Sequence, residues 1–263
     1  MINFQRKIAK VTGGGISYLE KGSGPELLLM HGIGGNAKSW RAQLQGLSEN
    51  FRVIAWDSPG YGDSELRTGT LDQYVEAVVR FLDSLGIGRA HILGHSMGGV
   101  IAQGVAGYAS DRINNLILSS TFKGDGVAHD AQLQAGYLAR LKDIETMTPE
   151  EFGLARAETM LGDLATPGIR KEVAQIASEV TPLGLRAACE LLNLADTSQI
   201  LMSLKKPVLV LTGKKDTIID REKTREMTKL IPAFEQVEFS NSGHAAYLEE
   251  PKVYNTVVKG FLS

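Results

Sequence analysis

The stretch Gly94-His95-Ser96-Met97-Gly98-Gly99 constrains this chain more than any other, because it joins an apolar run, His91-Ile92-Leu93, directly to a helical one, Val100-Ile101-Ala102-Gln103. A strand that passes into a helix without a linker must turn sharply, and the residue at the apex is forced into backbone angles that a side chain resists. Side chains two residues either side of the apex would collide, and glycine stands at both places, 94 and 98. The pattern predicts strand, apex serine and helix, with the Ser96 hydroxyl presented at the top of a sheet. The helix that begins there points its partially positive N-terminus at the same spot.

The rest of the chain supplies the sheet. Short apolar runs at Leu27–Met30, Phe51–Trp56, His91–Leu93, Leu116–Leu118, Val208–Leu211 and Phe234–Phe239 alternate with helical patterns. That alternation is the mark of a mostly parallel sheet covered on both faces. Each of the first five leads into a loop with Gly, Ser or Asp, at the carboxyl end where such sheets carry their ligands. Near the N-terminus, Phe4 to Val11 alternates in and out, and Gly13-Gly14-Gly15 turns the chain into Ile16–Glu20, an antiparallel hairpin. Leu71, Tyr74, Val75, Val78, Val79, Leu82 and Leu85 follow helical spacing behind a Thr70/Gln73 capping box. A last helix starts at Pro251, with Val253, Val257, Val258, Phe261 and Leu262 as its apolar face.

Between Leu118 and Val208 the pattern changes to helices without a strand. Leu138, Leu141 and Ile144 form one stripe, Ile169, Val173, Ile176 and Val180 another, and Thr148-Pro149-Glu150-Glu151 is a helix start. We read residues 1–121 and 204–263 as a core domain and 122–203 as an inserted helical lid.

A serine hydroxyl is a weak nucleophile at neutral pH and needs a base. His244, in Ser240-Asn241-Ser242-Gly243-His244 beyond the strand ending at Phe239, can reach back over the sheet. The imidazole needs a carboxylate on its other nitrogen, and Asp216 follows Val208–Leu211 at a strand's carboxyl end, with Asp220 as the fallback. The chain order is Ser96, Asp216, His244. His31-Gly32-Ile33-Gly34-Gly35 follows the strand Leu27–Met30, so the amides of Ile33 and Met97 are the candidate oxyanion donors. His31, His91, His95 and His129 read as structural, and Asp57 as a brace for its loop.

Composition narrows the classes. The 263 residues are 43% hydrophobic and 22% charged, with a formal net charge of −2. Such a balance favours neither nucleic acid nor an anionic membrane as partner. Cys189 is alone, so no intrachain disulfide forms. No apolar leader or membrane-length run stands out, which gives the expectation of a cytoplasmic protein. No metal-ligand spacing occurs, and Gly13–Gly15 lies in a hairpin rather than a dinucleotide fingerprint. We expect no metal and no cofactor; whether copies form a homo-oligomer stays open.

The ordered set HGIGG, WDSPGYGDSE, GHSMGG, LTGKKD and SGH resembles the α/β-hydrolase superfamily across essentially the whole chain. The resemblance implies an α/β-hydrolase fold, a mostly parallel eight-stranded sheet flanked by helices. It also implies a serine hydrolase using Ser96, Asp216 and His244. Dehalogenases and epoxide hydrolases of this fold carry Asp at the elbow, which excludes them. The loop Asp57-Ser58-Pro59-Gly60 resembles hydrolases of carbon–carbon bonds in ring-fission products, but those have Trp after the catalytic His where this chain has Ala245. The segment Thr181–Glu190 resembles 3-oxoadipate enol-lactonases, whose elbow often has Leu where His95 stands. The expectation is a small ester or lactone substrate, with Arg186 either meeting a substrate carboxylate or remaining a solvated helix charge. Activity should fall as pH drops through roughly 6.5. A lyase or cofactor-free oxygenase, or a slow-turnover receptor, are the rival readings on the same scaffold.

Overall fold

A computed structural model of the chain describes residues 4–65 and 69–263. The strands are β1 (Lys7–Val11), β2 (Gly14–Lys21), β3 (Glu26–Met30), β4 (Arg52–Trp56), β5 (Ala90–His95), β6 (Ile113–Ser119), β7 (Val208–Gly213) and β8 (Glu235–Phe239). They form one eight-stranded sheet in the order β1-β2-β4-β3-β5-β6-β7-β8. The β1–β2 and β2–β4 pairs are antiparallel and the other neighbours parallel. The chain runs outward from β3 to β4 and then returns to lay β5 on the other side of β3. Loops leaving β3 and β5 therefore open side by side, with Met30 registered against Gly94. A crevice at such a reversal of strand order is where open α/β sheets bind ligands.

Helices cover both faces: α1 (Arg41–Gly46), α2 (Leu71–Ser84), α3 (Met97–Tyr108), α9 (Arg221–Thr228), α10 (Ala246–Glu249) and α11 (Pro251–Leu262). Alternate residues of the parallel strands feed two cores. Leu28, Ile54, Ile92 and Leu116 pack with α2 and α3 on one face. Leu27, Leu29, Val53 and Leu93 pack with Trp40 and Tyr254 on the other. The start of α2 carries the expected cap, Gln73 Oε1 accepting from the Thr70 amide at 3.3 Å.

Five helices lie between β6 and β7: α4 (Ala135–Thr146), α5 (Pro149–Met160), α6 (Pro167–Ala177), α7 (Pro182–Leu194) and α8 (Ser198–Met202). Pro opens α5, α6 and α7, and in each the preceding threonine caps the first turn. Close backbone contacts seat this insertion on the sheet: a side chain at Gly184 would meet the Gly60 carbonyl at 2.4 Å.

Three details of the sequence reading change. The first strand begins at Lys7 rather than Phe4, because Arg6 leaves the alternation to bond Asp57 at 2.9 Å. Leu138 is 47% exposed and Val253 is 53% exposed, so Leu141 and Tyr254 carry the inward faces of α4 and α11. Among the described residues no helix is long and apolar enough to cross a membrane.

Candidate active site

Ser96 stands between β5 and α3 with φ 52° and ψ −116°, a conformation that costs a non-glycine residue about 1–3 kcal/mol. The surroundings hold it there. Its amide donates to the Ser119 carbonyl at 2.9 Å, and the Thr121 hydroxyl donates to its carbonyl at 2.7 Å. A Cβ at Gly94 would lie 2.3 Å from the Gly98 carbonyl, and one at Gly98 would lie 2.2 Å from the Met30 carbonyl. Both glycines are thus required by backbone packing as well as by the turn.

The loop after β3 lies against the serine: a Cβ at Gly32 would come within 2.9 Å of Ser96 Cβ. Gly34 takes φ +83°, and Gly35 closes the turn onto the Gly32 carbonyl at 3.0 Å. Neither the Ile33 nor the Met97 amide donates to another group of the protein among the described residues. Met97 opens α3, and first-turn amides have no acceptor within their own helix.

His244 follows β8. Its Nδ1 bonds Asp216 Oδ2 at 2.8 Å, and both side chains are at least 95% buried. A carboxylate only accepts, so Nδ1 carries the hydrogen and Nε2 is left as the basic nitrogen. Asp216 Oδ1 accepts from the Ile218 and Ile219 amides at 2.9 and 3.0 Å. Burial opposes ionisation of Asp216, but the His244 charge, its hydrogen bond and those two amides outweigh it. The carboxyl is held below the usual range. Asp220 is turned to another task, capping α9 by accepting from the Lys223 amide at 2.8 Å.

The neighbouring histidines, His95 and His31, are engaged in contacts within the fold. His95 packs edge-on against the His244 ring, centroids 4.6 Å apart. Burial first, and then the His244 charge, push it down to about 3. His31, lowered by burial, accepts from the Ser58 amide at 2.9 Å through Nε2. Asp57 is fully buried and braces three segments, accepting from Arg6, from the Ser17 hydroxyl at 2.6 Å and from the Ala37 amide at 2.7 Å. Among the described residues, no three His, Cys, Asp or Glu side chains come together as a metal-ion set.

A cavity of about 190 Å³ opens above Ser96, lined by Ile33, Phe122, Tyr137, Arg140, Ile219 and Lys223 among others. Lys223 sits over the Phe122 ring at 4.7 Å and bonds Asp125 Oδ1 at 3.0 Å. A second cavity, about 240 Å³, lies behind Asp216 against Arg221, Arg225 and Glu238 and does not include Ser96. Arg186 does not line the Ser96 cavity: its side chain is 48% exposed and sits 3.6 Å from Glu145. On α7 it occupies the solvent side, whereas Arg140 of α4 faces inward.

Sequence reasoning missed three contributors: Thr121, Arg140 and Glu249. Glu249 accepts from the Gly162 amide at 2.8 Å and the Gly243 amide at 2.9 Å, and His244 donates its own amide to the Met160 carbonyl at 2.9 Å. None belongs to a spacing pattern, because each acts through a contact across the fold.

Residues 27–257 match the alpha/beta hydrolase family, and the chain belongs to it. It is 31% identical over 267 residues to a dihydrolipoyllysine-residue acetyltransferase component of the acetoin cleaving system of Pseudomonas putida, spanning 97% of this chain and 68% of that protein. It is 27% identical over 246 residues to a pimeloyl-[acyl-carrier protein] methyl ester esterase of Vibrio vulnificus, 89% and 92% of the two chains. Among solved structures, the enol-lactonase of Burkholderia xenovorans superposes with a TM-score of 0.87 at 25% identity, covering 97% of this chain and 99% of that one.

Proposed function

We propose that this hydrolase cleaves a small carboxylic ester or lactone through an acyl-enzyme on Ser96. The observation that carries the reading is the strained backbone of Ser96 at the start of α3, under a cavity it helps to line. Strain of that kind persists where function needs it. The esterase and enol-lactonase relatives lend the substrate class.

In this reading Ser96 Oγ bonds to the carbonyl carbon while His244 Nε2 takes its proton. Asp216 holds the opposite nitrogen, fixing the tautomer and stabilising the imidazolium. The carbonyl oxygen becomes an oxyanion between the Ile33 and Met97 amides, where loss of one donor costs about 2.7–4 kcal/mol. Collapse breaks the bond to the alcohol oxygen, which leaves with the His244 proton. Water then gives a proton to His244 and bonds to the acyl carbon; collapse breaks the bond to Ser96 Oγ, which takes the His244 proton back as the acid leaves. Residues 122–203 act as the lid, and the small cavity beneath suits a compact substrate.

The test is intact-mass labelling by a fluorophosphonate beside turnover of 4-nitrophenyl acetate, 4-nitrophenyl butyrate and a γ-lactone, for wild type and Ser96→Ala. Stoichiometric labelling and turnover that both vanish in the variant are expected. A folded wild type that neither labels nor turns over would remove the acyl-enzyme.

A further inference from the structure

Arg156 is buried on α5, 8% exposed, and its Nε has no hydrogen-bond partner. Its one side-chain bond runs from Nη1 to Thr159 Oγ1 at 3.2 Å, within its own helix. Among the described residues no carboxylate lies within 4 Å of it. The guanidinium is directed toward the turn that carries the Ile33 amide: a Cβ at Gly34 would lie 3.6 Å from its Nε.

Arg140, one helix earlier, lines the Ser96 cavity itself and likewise has no ion-pair partner among the described residues. The two cations are close enough to act on each other. Burial and then the Arg140 charge depress Arg156 to about 9. Tyr61, fully enclosed beside them, has its hydroxyl against the Gly34 amide and near Arg140.

Buried charges in proteins are paired, because an uncompensated one is held against its own desolvation cost. Here Arg140 lines the Ser96 cavity and Arg156 stands behind the Ile33 turn, and Asp143 acts on Arg156 only from beyond ion-pair distance. Elsewhere the arginines of this segment are paired: Arg186 faces Glu145, and Arg170 faces Glu158 at 3.7 Å. The missing partner at Arg140 and Arg156 is thus a local exception. A guanidinium is the side chain best matched to a carboxylate, through parallel N–H donors.

We infer that Arg140 and Arg156 form a carboxylate-binding subsite of the Ser96 cavity, so that the substrate is an ester or lactone bearing a second, free carboxylate. This rests on Ser96 as nucleophile for its place in catalysis, but not for binding. The carboxylate can belong to the acyl part or to the alcohol part, and the substrates distinguish the two.

The experiment compares 4-nitrophenyl butyrate with mono-4-nitrophenyl glutarate (acyl-side acid), and phenyl butyrate with 4-carboxyphenyl butyrate (alcohol-side acid). Wild type, Arg140→Gln, Arg156→Gln and Arg156→Lys are assayed, with glutarate binding measured by calorimetry on the same proteins. Wild type should prefer the acid in one pair by at least about 10-fold in kcat/KM. Either Gln variant should abolish that preference, leaving acid and neutral ester within about 3-fold of each other, with Arg156→Lys intermediate. Glutarate should bind wild type and lose affinity in both Gln variants. If Arg156→Gln does not fold, Arg140→Gln, at the half-exposed position, decides alone. An active enzyme that prefers neither acid, or a preference that survives Arg140→Gln, overturns the subsite and leaves the serine mechanism standing. Glutarate binding lost in the variants, with no labelling of Ser96 and no turnover, keeps the subsite and removes the mechanism. No glutarate binding by wild type overturns the subsite whatever the ester rates.

Discussion

His95 Nε2 donates to the main-chain carbonyl of His244 at 2.8 Å, so the side chain next to Ser96 in sequence holds the loop that carries His244. A carbonyl can only accept, which puts the His95 hydrogen on Nε2 and leaves Nδ1 as a bare, buried acceptor without a partner. A proton arriving there would be buried away from solvent and would face the His244 charge. That is the physical reason the ring stays neutral far below the ordinary histidine range, down to about 3.

His95 therefore makes stability depend on acid. The unfolded chain binds a proton at this histidine near pH 6.5 and the folded one resists until about 3, so stability is lost as pH falls across that window. The slope from one such group is about 1.4 kcal/mol per pH unit, on the order of 3 kcal/mol by pH 4. Asp216, whose carboxyl is lowered, adds its own loss only further down, below about pH 4. Urea midpoints at pH 6.5, 5.5 and 4.5 should show a slope for His95→Leu that is shallower by one proton, with a remainder from buried His31. An unchanged slope would mean that His95 protonates as easily in the folded state.

The two aspartates at the carboxyl end of β7 should separate cleanly by substitution. Asp216→Asn keeps the shape but lets the imidazole take the wrong tautomer, for which a fall in kcat of about 10⁴ is the precedent in serine triads. Asp220→Ala removes only the α9 cap and should cost about 1 kcal/mol of stability with kcat within a few-fold of wild type. Steady-state rates and urea unfolding of both variants check this. Comparable loss of kcat in Asp220→Ala would reopen the choice of acid.

These contrasts mark what could be read from sequence and what could not. Ser96, His244, Asp216 and the Ile33 loop, to which the proposed mechanism gives its roles, each sit beside a strand end, and strand ends announce themselves as apolar runs closed by Gly, Ser or Asp. The reversal of strand order that brings residues 30 and 94 into register belongs to the assembled sheet, and the alternation alone does not fix it. The cavity's polar groups do not announce themselves either. Arg140 and Arg186 lie on neighbouring helices of similar composition, and only the packing of α4 against α7 decides that one lines the cavity and the other pairs with Glu145 on the surface. Leu138 and Val253 misled for a related reason: helical spacing identifies a stripe, but its edges are set by the neighbouring element.

Backbone packing around the elbow predicts unequal tolerance among glycines. Gly98→Ala would drive a Cβ to 2.2 Å from the Met30 carbonyl, which is main chain of a central strand and cannot yield. A loss of about 3 kcal/mol or more, or failure to fold, is expected. Gly260→Ala, on α11 with nothing within 4 Å of the added Cβ, should instead stabilise by about 0.5–1 kcal/mol. Thermal unfolding of the two variants checks the pair, and a Gly98→Ala protein as stable as wild type would contradict the packing.

Glu249 ties the loop of His244, the proposed base, to the helical insertion. One carboxylate oxygen takes the Gly162 amide just past α5 and the other takes the Gly243 amide just before His244. The backbones there are so close that a Cβ at either glycine would meet the other's amide nitrogen within 2.7 Å. With the His244 amide held by Met160 as well, the end of α5 and the base loop are one unit, and movement of either displaces the imidazole. Glu249→Ala leaves two buried amides without an acceptor, about 1–3 kcal/mol each. Because displacement of a catalytic group by about 1 Å can cost 100-fold, kcat and the rate of fluorophosphonate labelling should fall together by about 10- to 100-fold. Glu249→Gln, which keeps one acceptor oxygen, should recover part of both. Hydrogen exchange over residues 241–245 and 160–163 should rise in step in Glu249→Ala. Faster exchange in one segment without the other would show that the lid and the base loop move independently.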